Sequence, residues 1–206
     1  MMLRQNVSAE FIKKYIAERI PGLCDLLVQV DLVEPLVPKP VTVLTAISQI
    51  VIGQMLSRKA AKTIISKATN LAINNDIMEF AFLSENDLRA CGISGRKVKT
   101  IRQFATYYSE NKEEVENWRN LSEAELFETA SKHWGISEWS ASMLGIFYFG
   151  KENIFPTKDG SINKVLSILE LRGISVDTND VTPYKSYLAL YLWLFLDSNL
   201  LNSYQN

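Results

Sequence analysis

The sequence contains few of the residues that hold metal ions or clusters. It has two cysteines, Cys24 and Cys91, and one histidine, His133. A four-cysteine iron–sulfur cluster is therefore excluded by count, and a zinc site is disfavoured because the ligands are too few. The cysteines lie far apart without metal-ligand spacing, so we interpret them as reduced thiols of a cytosolic protein.

The chain also lacks an excess of charge of either sign and a long apolar run. Its net charge is −1, so no global basic field indicates a nucleic-acid partner, and a polyanion site would have to be local. The most apolar stretch, residues 187–196, is too short for a bilayer, which needs about 20 residues. The first residues lack the apolar segment of a signal peptide. Neither feature predicts a membrane association.

Strand patterns are scarce, whereas helical periodicity extends along nearly the whole chain. Serines stand directly before the periodic segments, where a hydroxyl can accept a hydrogen bond from an N–H of the first helical turn. These serines are Ser57, Ser84, Ser94, Ser122 and Ser137, and Glu125 completes a capping box with Ser122. Helix ends are expected at Gly92, Gly135 and Gly150. The sequence therefore predicts an all-α fold.

Two loops divide the predicted helices into a bilobal arrangement. Three prolines in residues 33–41 indicate a linker or an extended arm, and residues 173–183 form a second loop. We predict a terminal helical lobe of residues 1–41 plus 156–206 and a central helical bundle of residues 42–155. A cleft between two such lobes is a natural place for a ligand.

The segment IGQMLSRKAA, residues 52–61, suggests a phosphate-binding helix start. Ser57 begins a helix whose first turn contains Arg58 and Lys59, and exposed N–H groups beside cations are suited to phosphate. In the preceding turn, Met55 could wedge into a base stack. The alternative is an ordinary capped helix with Met55 in the core.

A second segment, residues 91–102, contains the densest basic patch of the chain. Its cations are Arg96, Lys97, Lys99 and Arg102, with no acidic residue among them. Such a patch is the local electrostatic footprint of a polyanion site. The alternative is a solvated helix face, which is what most charge runs are.

A third segment, residues 130–141, reads ASKHWGISEWSA and predicts a helix–hairpin–helix. Its tight turn depends on Gly135, and the successive backbone N–H groups of such a turn bind phosphate oxygens without reading base sequence. The carbonyl groups of the turn can also hold a cation. The alternative is a plain helix–helix corner.

A fourth segment, FPTKDGSIN, places Asp159 where a loop ends and a helix begins. The helix dipole favours an ionised carboxylate there. An ionised aspartate without a partner acid can stabilise a sugar cation or orient and deprotonate a water, which are demands of breaking a glycosidic bond. The alternative is that Asp159 only caps the helix.

In this order, the segments resemble the helix–hairpin–helix superfamily of DNA base-excision glycosylases, in particular the 3-methyladenine DNA glycosylase II type. IGQMLSRKAA is similar to the family's IxxQQxSxKAA, and CGISGRKVKTIRQFA to its GxSxxKxxxLxxLA helix. HWGISEWSASMLGIF stands at the PGIGxWTAxxxLLF hairpin. IFPTKDGSINKV is similar to FPxDDxGIxK, and TPYKSYLALYLW to PxRSxAxxYLW.

The resemblance implies roles for individual residues. Asp159 matches the catalytic aspartate, and Trp139 stands where bifunctional members have the lysine that forms a Schiff base. The implied base-pocket residues are Trp139, Trp193 and Met143. The implied DNA contacts are Gln54, Met55, Ser57, Lys59, Ser94, Arg96, Lys97, Gly135, Ile136 and Ser137. A monovalent cation could bind the carbonyls of Ser131, His133 and Ile136, and no cofactor is expected.

The sequence departs from the family pattern at several positions. The proline before the first hairpin glycine is Trp134, and the second glycine is Ser137. The second glutamine of the family's pair is Met55, and the acid that often precedes the catalytic aspartate is Lys158. Where many relatives have an aromatic residue one turn after Trp139, this chain has Met143, so the implied pocket has fewer aromatic faces.

The resemblance implies a monofunctional DNA glycosylase of base excision repair. Such an enzyme hydrolyses the N-glycosidic bond of an alkylated purine that is flipped out of duplex DNA. Its implied partner is double-stranded DNA containing a damaged base, and the chain is expected to be a monomer. Two alternatives are a non-catalytic helix–hairpin–helix protein that binds DNA lesions and a helical scaffold without a DNA role. The departures favour the lesion binder, whereas Asp159 opposes it.

Overall fold

The structure is a computed structural model that describes residues 7–201. Its α-helices are α1 (Ala9–Arg19), α2 (Cys24–Val28), α3 (Val43–Gly53), α4 (Arg58–Asn74), α5 (Glu85–Ala90), α6 (Gly95–Glu110), α7 (Lys112–Glu116), α8 (Glu123–Ser131), α9 (Glu138–Phe147), α10 (Gly160–Leu171) and α11 (Lys185–Asp197). Short 3₁₀ turns lie at Pro21–Leu23, Phe80–Phe82 and Asn117–Asn120. Residues 7–201 contain no β-strand, which confirms the predicted all-α fold. None of the helices in this range combines the length and apolar character needed to cross a membrane.

Serine side chains begin most of the predicted helices. The hydroxyls of Ser57, Ser84 and Ser137 accept first-turn N–H groups of α4, α5 and α9. Ser122 forms the predicted capping box at α8. Ser94 has N-cap backbone geometry before α6, but its hydroxyl makes no capping bond, so the capping prediction is wrong for that side chain.

The predicted helix ends and loops are also confirmed. Gly92, Gly135 and Gly150 follow α5, α8 and α9 with φ angles of 98°, 80° and 65°. Residues 33–41 and 173–183 contain no helix. The prolines and glycines therefore lie between helices, as the backbone preferences of these two residue types predict.

The chain forms two compact units. Unit 1 consists of the described residues of Met1–Val37 and Gly150–Asn206, and unit 2 is Pro38–Phe149. In unit 1, α1, α10 and α11 share one apolar core. Its central side chains are Ile12, Ile16, Val165, Leu169, Tyr187, Tyr191 and Phe195. The helix before the proline arm thus packs with the C-terminal helices.

The hydroxyl groups of two core tyrosines hold the proline arm. Tyr187 Oη accepts the N–H of Leu36 at 2.9 Å, and Tyr191 Oη accepts the N–H of Val33 at 3.3 Å. Burial raises the pKa of Tyr191. The apolar helix α11 therefore fixes the arm by polar contacts as well as by packing.

Unit 2 is built around α3, most of whose residues are buried. Helices α4, α6 and α9 pack against it. Helix α6 buries Val98, Ile101, Phe104 and Tyr108. This spacing of three and four residues places them on one face, because a helix has 3.6 residues per turn. Helices α6 and α9 therefore pack against the same helix, α3.

Candidate functional site

Asp159 is the N-cap residue of α10 in unit 1. Its Oδ1 accepts the N–H of Ile162 at 2.9 Å, and its own N–H donates to the carbonyl of Pro156 at 3.0 Å. The capping role is therefore real. The side chain is nevertheless buried, with 8% of the residue exposed, whereas a capping aspartate is usually solvated. Capping alone does not require a buried carboxylate.

A second N–H group reaches the same carboxylate oxygen. Trp193 lies on α11, and its Nε1 donates to Asp159 Oδ1 at 3.1 Å across 34 residues of sequence. Two donors on one oxygen fix the rotamer of the carboxylate and offset part of its desolvation. The structure thus brings together the predicted catalytic residue and one predicted pocket residue, through a contact that the sequence did not indicate.

The hairpin between α8 and α9 lies directly on α6. Gly135 has a φ angle of 80°, and a Cβ built on it would lie 2.2 Å from Oγ1 of Thr100. Only glycine combines this backbone conformation with this close approach. Ser137 has a φ angle of −100°, so the serine at the family's second glycine position needs no left-handed backbone.

The turn between α3 and α4 presents an apolar side chain. Met55 is fully exposed, with a relative exposure of 101%, and has a φ angle of 57°. A positive φ is uncommon for residues other than glycine, and such strain is concentrated at functional sites. The alternative that places Met55 in the core is therefore wrong, since its side chain projects into solvent.

The side chains of Lys97 and Gln54 link this turn to neighbouring elements. Lys97 Nζ donates to the carbonyls of Ile52 at 2.8 Å and Gln54 at 2.7 Å. Gln54 Nε2 donates to the carbonyl of Gly135 at 3.3 Å and to Oγ of Ser140 at 3.1 Å. Burial lowers the pKa of Lys97. These bonds join the Met55 turn, the start of α6 and the hairpin into one assembly.

The other predicted DNA contacts lie at helix starts. Lys59 is exposed in the first turn of α4, after the N-cap Ser57. Arg96 is exposed in the first turn of α6, after the exposed Ser94. Neither first turn contains an acidic residue. The positive ends of both helix dipoles therefore coincide with cationic side chains, which favours anions.

The predicted pocket residues of unit 2 lie on α9. Trp139 is half-buried and Met143 is buried, and both lie on the same face one helical turn apart. Ile136 has a buried side chain, so only its backbone could contact DNA. The sequence identified these positions through the resemblance and not through any local pattern.

The candidate cation site lies around His133. The carbonyl of His133 accepts the N–H of Ile136 at 3.1 Å, and Ser131 is the last residue of α8. Within residues 7–201, no group of three histidine, cysteine or acidic side chains could hold a metal ion. A cation at the carbonyls of Ser131, His133 and Ile136 stays a prediction.

The imidazole of His133 is packed among aromatic rings. Its centroid lies 4.4 Å from that of Tyr107, 5.3 Å from Phe104 and 5.4 Å from Trp118. Burial lowers the pKa of His133, and the carboxylate of Glu114 opposes that effect. This side chain therefore supports the hairpin as a neutral ring.

His133→Phe is expected to make the stability of the protein less dependent on pH. Because the folded pKa of His133 lies below its ordinary value of 6.5, the unfolded chain binds the proton more readily. The contribution of the neutral ring is complete above pH 6.5 and is lost as the pH falls through the folded pKa. Urea midpoints at about pH 7.5 and about pH 5.5 should differ more in the wild type than in His133→Phe. Equal differences would contradict this assignment.

Comparison with known proteins identifies relatives. No known protein-family profile matches the chain. DNA-3-methyladenine glycosylase 1 of Schizosaccharomyces pombe is 27% identical over 157 residues, which are 69% of this chain and 68% of that protein. The alkylbase DNA glycosidase-like protein mag2 of the same organism is 30% identical over 158 residues, which are 68% of this chain and 72% of that protein.

A solved structure has the same fold. The 3-methyladenine DNA glycosylase of Schizosaccharomyces pombe, in complex with abasic DNA, superposes with a TM-score of 0.76 and 22% sequence identity. The match covers 90% of this chain and 96% of that chain. The all-helical architecture is therefore shared along nearly the whole length of both proteins.

Proposed function

Because the chain belongs to the helix–hairpin–helix family of DNA glycosylases, with the 3-methyladenine and alkylbase DNA glycosylases, we propose that it is a monofunctional DNA glycosylase of base excision repair. Its substrate is an alkylated purine in duplex DNA. The observation that supports this most is the buried carboxylate of Asp159. One of its oxygens accepts hydrogen bonds from two N–H groups. A preorganised carboxylate can stabilise the positive charge that develops on the sugar as the base leaves.

Asp159 acts on the sugar. As the bond between the base and C1′ breaks, the base departs with the bonding electron pair, and positive charge develops on the sugar. The carboxylate stabilises that charge and directs a water to C1′. The water oxygen bonds to C1′, and one water proton passes to the carboxylate and then to solvent. A cationic alkylated purine leaves as a neutral base, so it needs less help from the protein.

Trp139 supports the monofunctional assignment. An indole cannot form a Schiff base with the sugar, whereas a lysine at this position could. Hydrolysis then leaves an abasic site in an intact strand. Trp193 has two roles in this proposal: its ring forms part of the base pocket and its N–H orients Asp159.

Unit 2 binds the DNA. The N–H groups of the hairpin and the cations at the starts of α4 and α6 bind phosphates, which positions the duplex without reading its sequence. The side chain of Met55 fills the gap that a flipped nucleotide leaves in the base stack. Gln54 and Lys97 hold the turn from which Met55 projects, so they position the wedge.

Met55→Ala is expected to lower base release from a fully paired lesion about tenfold, because flipping a stacked base costs a few kcal/mol that the wedge offsets. A lesion in a mismatch, which is easier to flip, should be affected less. Met78→Ala is the matched control, since Met78 is also an exposed methionine of unit 2, at 95%. Single-turnover rates would reveal the difference. An equal loss in Met78→Ala would contradict the wedge.

A panel of damaged duplexes tests the proposed function. Single-turnover release of 7-methylguanine, 3-methyladenine, 1,N6-ethenoadenine, hypoxanthine and uracil would identify the base class, and borohydride trapping would detect a Schiff base. We expect release of an alkylated purine without a trapped complex or strand break. Salt-dependent binding of the duplex without release of any base would instead indicate a non-catalytic lesion binder.

A further inference from the structure

An exposed tryptophan beside the hairpin has no counterpart in the family pattern, which has proline there. Trp134 has a relative exposure of 45%. Two cations from α6 lie over its ring: Lys99 Nζ is 4.8 Å from the ring centroid, and Arg96 Cζ is 5.8 Å away. Such distances allow cation–π attraction. The indole thus attracts two cationic side chains of α6 at once.

We propose that Trp134, Arg96 and Lys99 form a preorganised site for one phosphodiester of duplex DNA, beside the hairpin. This inference rests on the proposed function, because it takes DNA as the polyanion. Long cationic side chains lose rotamer freedom when they bind, and the indole restricts them in advance. A phosphodiester that contacts both side chains gives them the negatively charged partner that a neutral ring does not supply.

The surroundings favour an anion at this place. Arg96 and Lys99 are exposed one turn apart near the start of α6, where the first turn contains no acidic residue. The hairpin beneath Trp134 lies directly on the same helix, through the close approach of Gly135 to Thr100. The site and the hairpin are therefore supported by the same helix, α6.

Binding to an undamaged duplex tests this site without requiring catalysis. Trp134→Ala should weaken binding about threefold to tenfold. Arg96→Ala and Lys99→Ala should each reduce the slope of log K against log[salt] by about 1. Adding Trp134→Ala to the variant that lacks both cations should cost no more affinity. If Trp134→Ala costs the same with and without the cations, the proposal is wrong.

Arg19→Ala is the matched control, since Arg19 Cζ lies 5.0 Å from the ring centroid of Tyr15 in unit 1. We expect little change in affinity. An equal loss there would show only a general effect of charge and would overturn the site. A wild type that binds no duplex would instead contradict the proposed function.

Neutral methylphosphonates at single positions of the DNA identify the phosphate. We expect one position where the substitution weakens binding of the wild type but not of the variant that lacks Arg96 and Lys99. If every position that matters to the wild type matters equally to the variant, the two cations bind no particular phosphodiester and the proposal fails.

Discussion

Asp159→Asn is expected to slow base release by at least about a hundredfold, the usual scale for loss of a preorganised electrostatic group. Asparagine is as good an N-cap as aspartate, so its oxygen can still accept the N–H of Ile162 and that of Trp193. What is lost is the negative charge. The substitution therefore separates capping, which the structure confirms, from action on the sugar, which we propose.

The measurement is a single-turnover rate with enzyme in excess of DNA, together with the affinity for the same duplex. Asp177→Asn is the matched control, because Asp177 Oδ1 also accepts a backbone N–H, from Asn179 at 2.8 Å, in an exposed loop of unit 1. It should release base at the wild-type rate. An Asp159→Asn variant as fast as the wild type would refute the catalytic role. A variant that lost DNA affinity equally would point to a structural role.

Gly135→Ala should have the largest effect on stability, with a loss of about 2–5 kcal/mol in the free energy of unfolding. A left-handed conformation costs about 1–2 kcal/mol for an alanine, and overpacking a close contact adds about 1–3 kcal/mol. Here the new Cβ would lie 2.2 Å from Thr100 Oγ1. Since the hairpin must shift to relieve this contact, duplex binding should fall as well.

Two variants divide the cost into its parts. Gly173→Ala measures backbone strain alone, because Gly173 has a φ angle of 74° and nothing lies within 4 Å of its built Cβ. Thr100→Ala removes the nearest side-chain atoms, so the double variant should regain part of the loss. Urea denaturation compares them. If Gly135→Ala cost no more than Gly173→Ala, the close approach of the hairpin to α6 would be refuted.

Local features of this fold are predictable because neighbouring residues determine them. Ser57 and Ser122 stand directly before their helices, and the hydroxyl reaches only the first turn. Gly135 follows α8 in a left-handed conformation that glycine favours, so its place in the turn is predictable locally, although its close approach to α6 is not. Ser94 shows the limit of such rules, since a favourable residue type does not decide the rotamer of its hydroxyl.

Contacts between distant residues are not predictable in this way. The bond from Trp193 to Asp159 joins α11 to the start of α10, and neither segment indicates its partner. In the sequence, Lys97 is one cation of a basic patch. In the structure, its ammonium group donates to two backbone carbonyls 45 and 43 residues away. Tertiary packing determines which cations of a patch stay in solvent, so the residue types alone overstate the number available to DNA.

The most direct test of the central claim is to incubate the wild-type protein with a duplex containing 7-methylguanine and to measure free base and abasic sites together. We predict that free 7-methylguanine appears faster than by uncatalysed loss, with one abasic site for each base and an unbroken strand. Duplex that is bound by the protein but loses its base only at the uncatalysed rate would contradict the account.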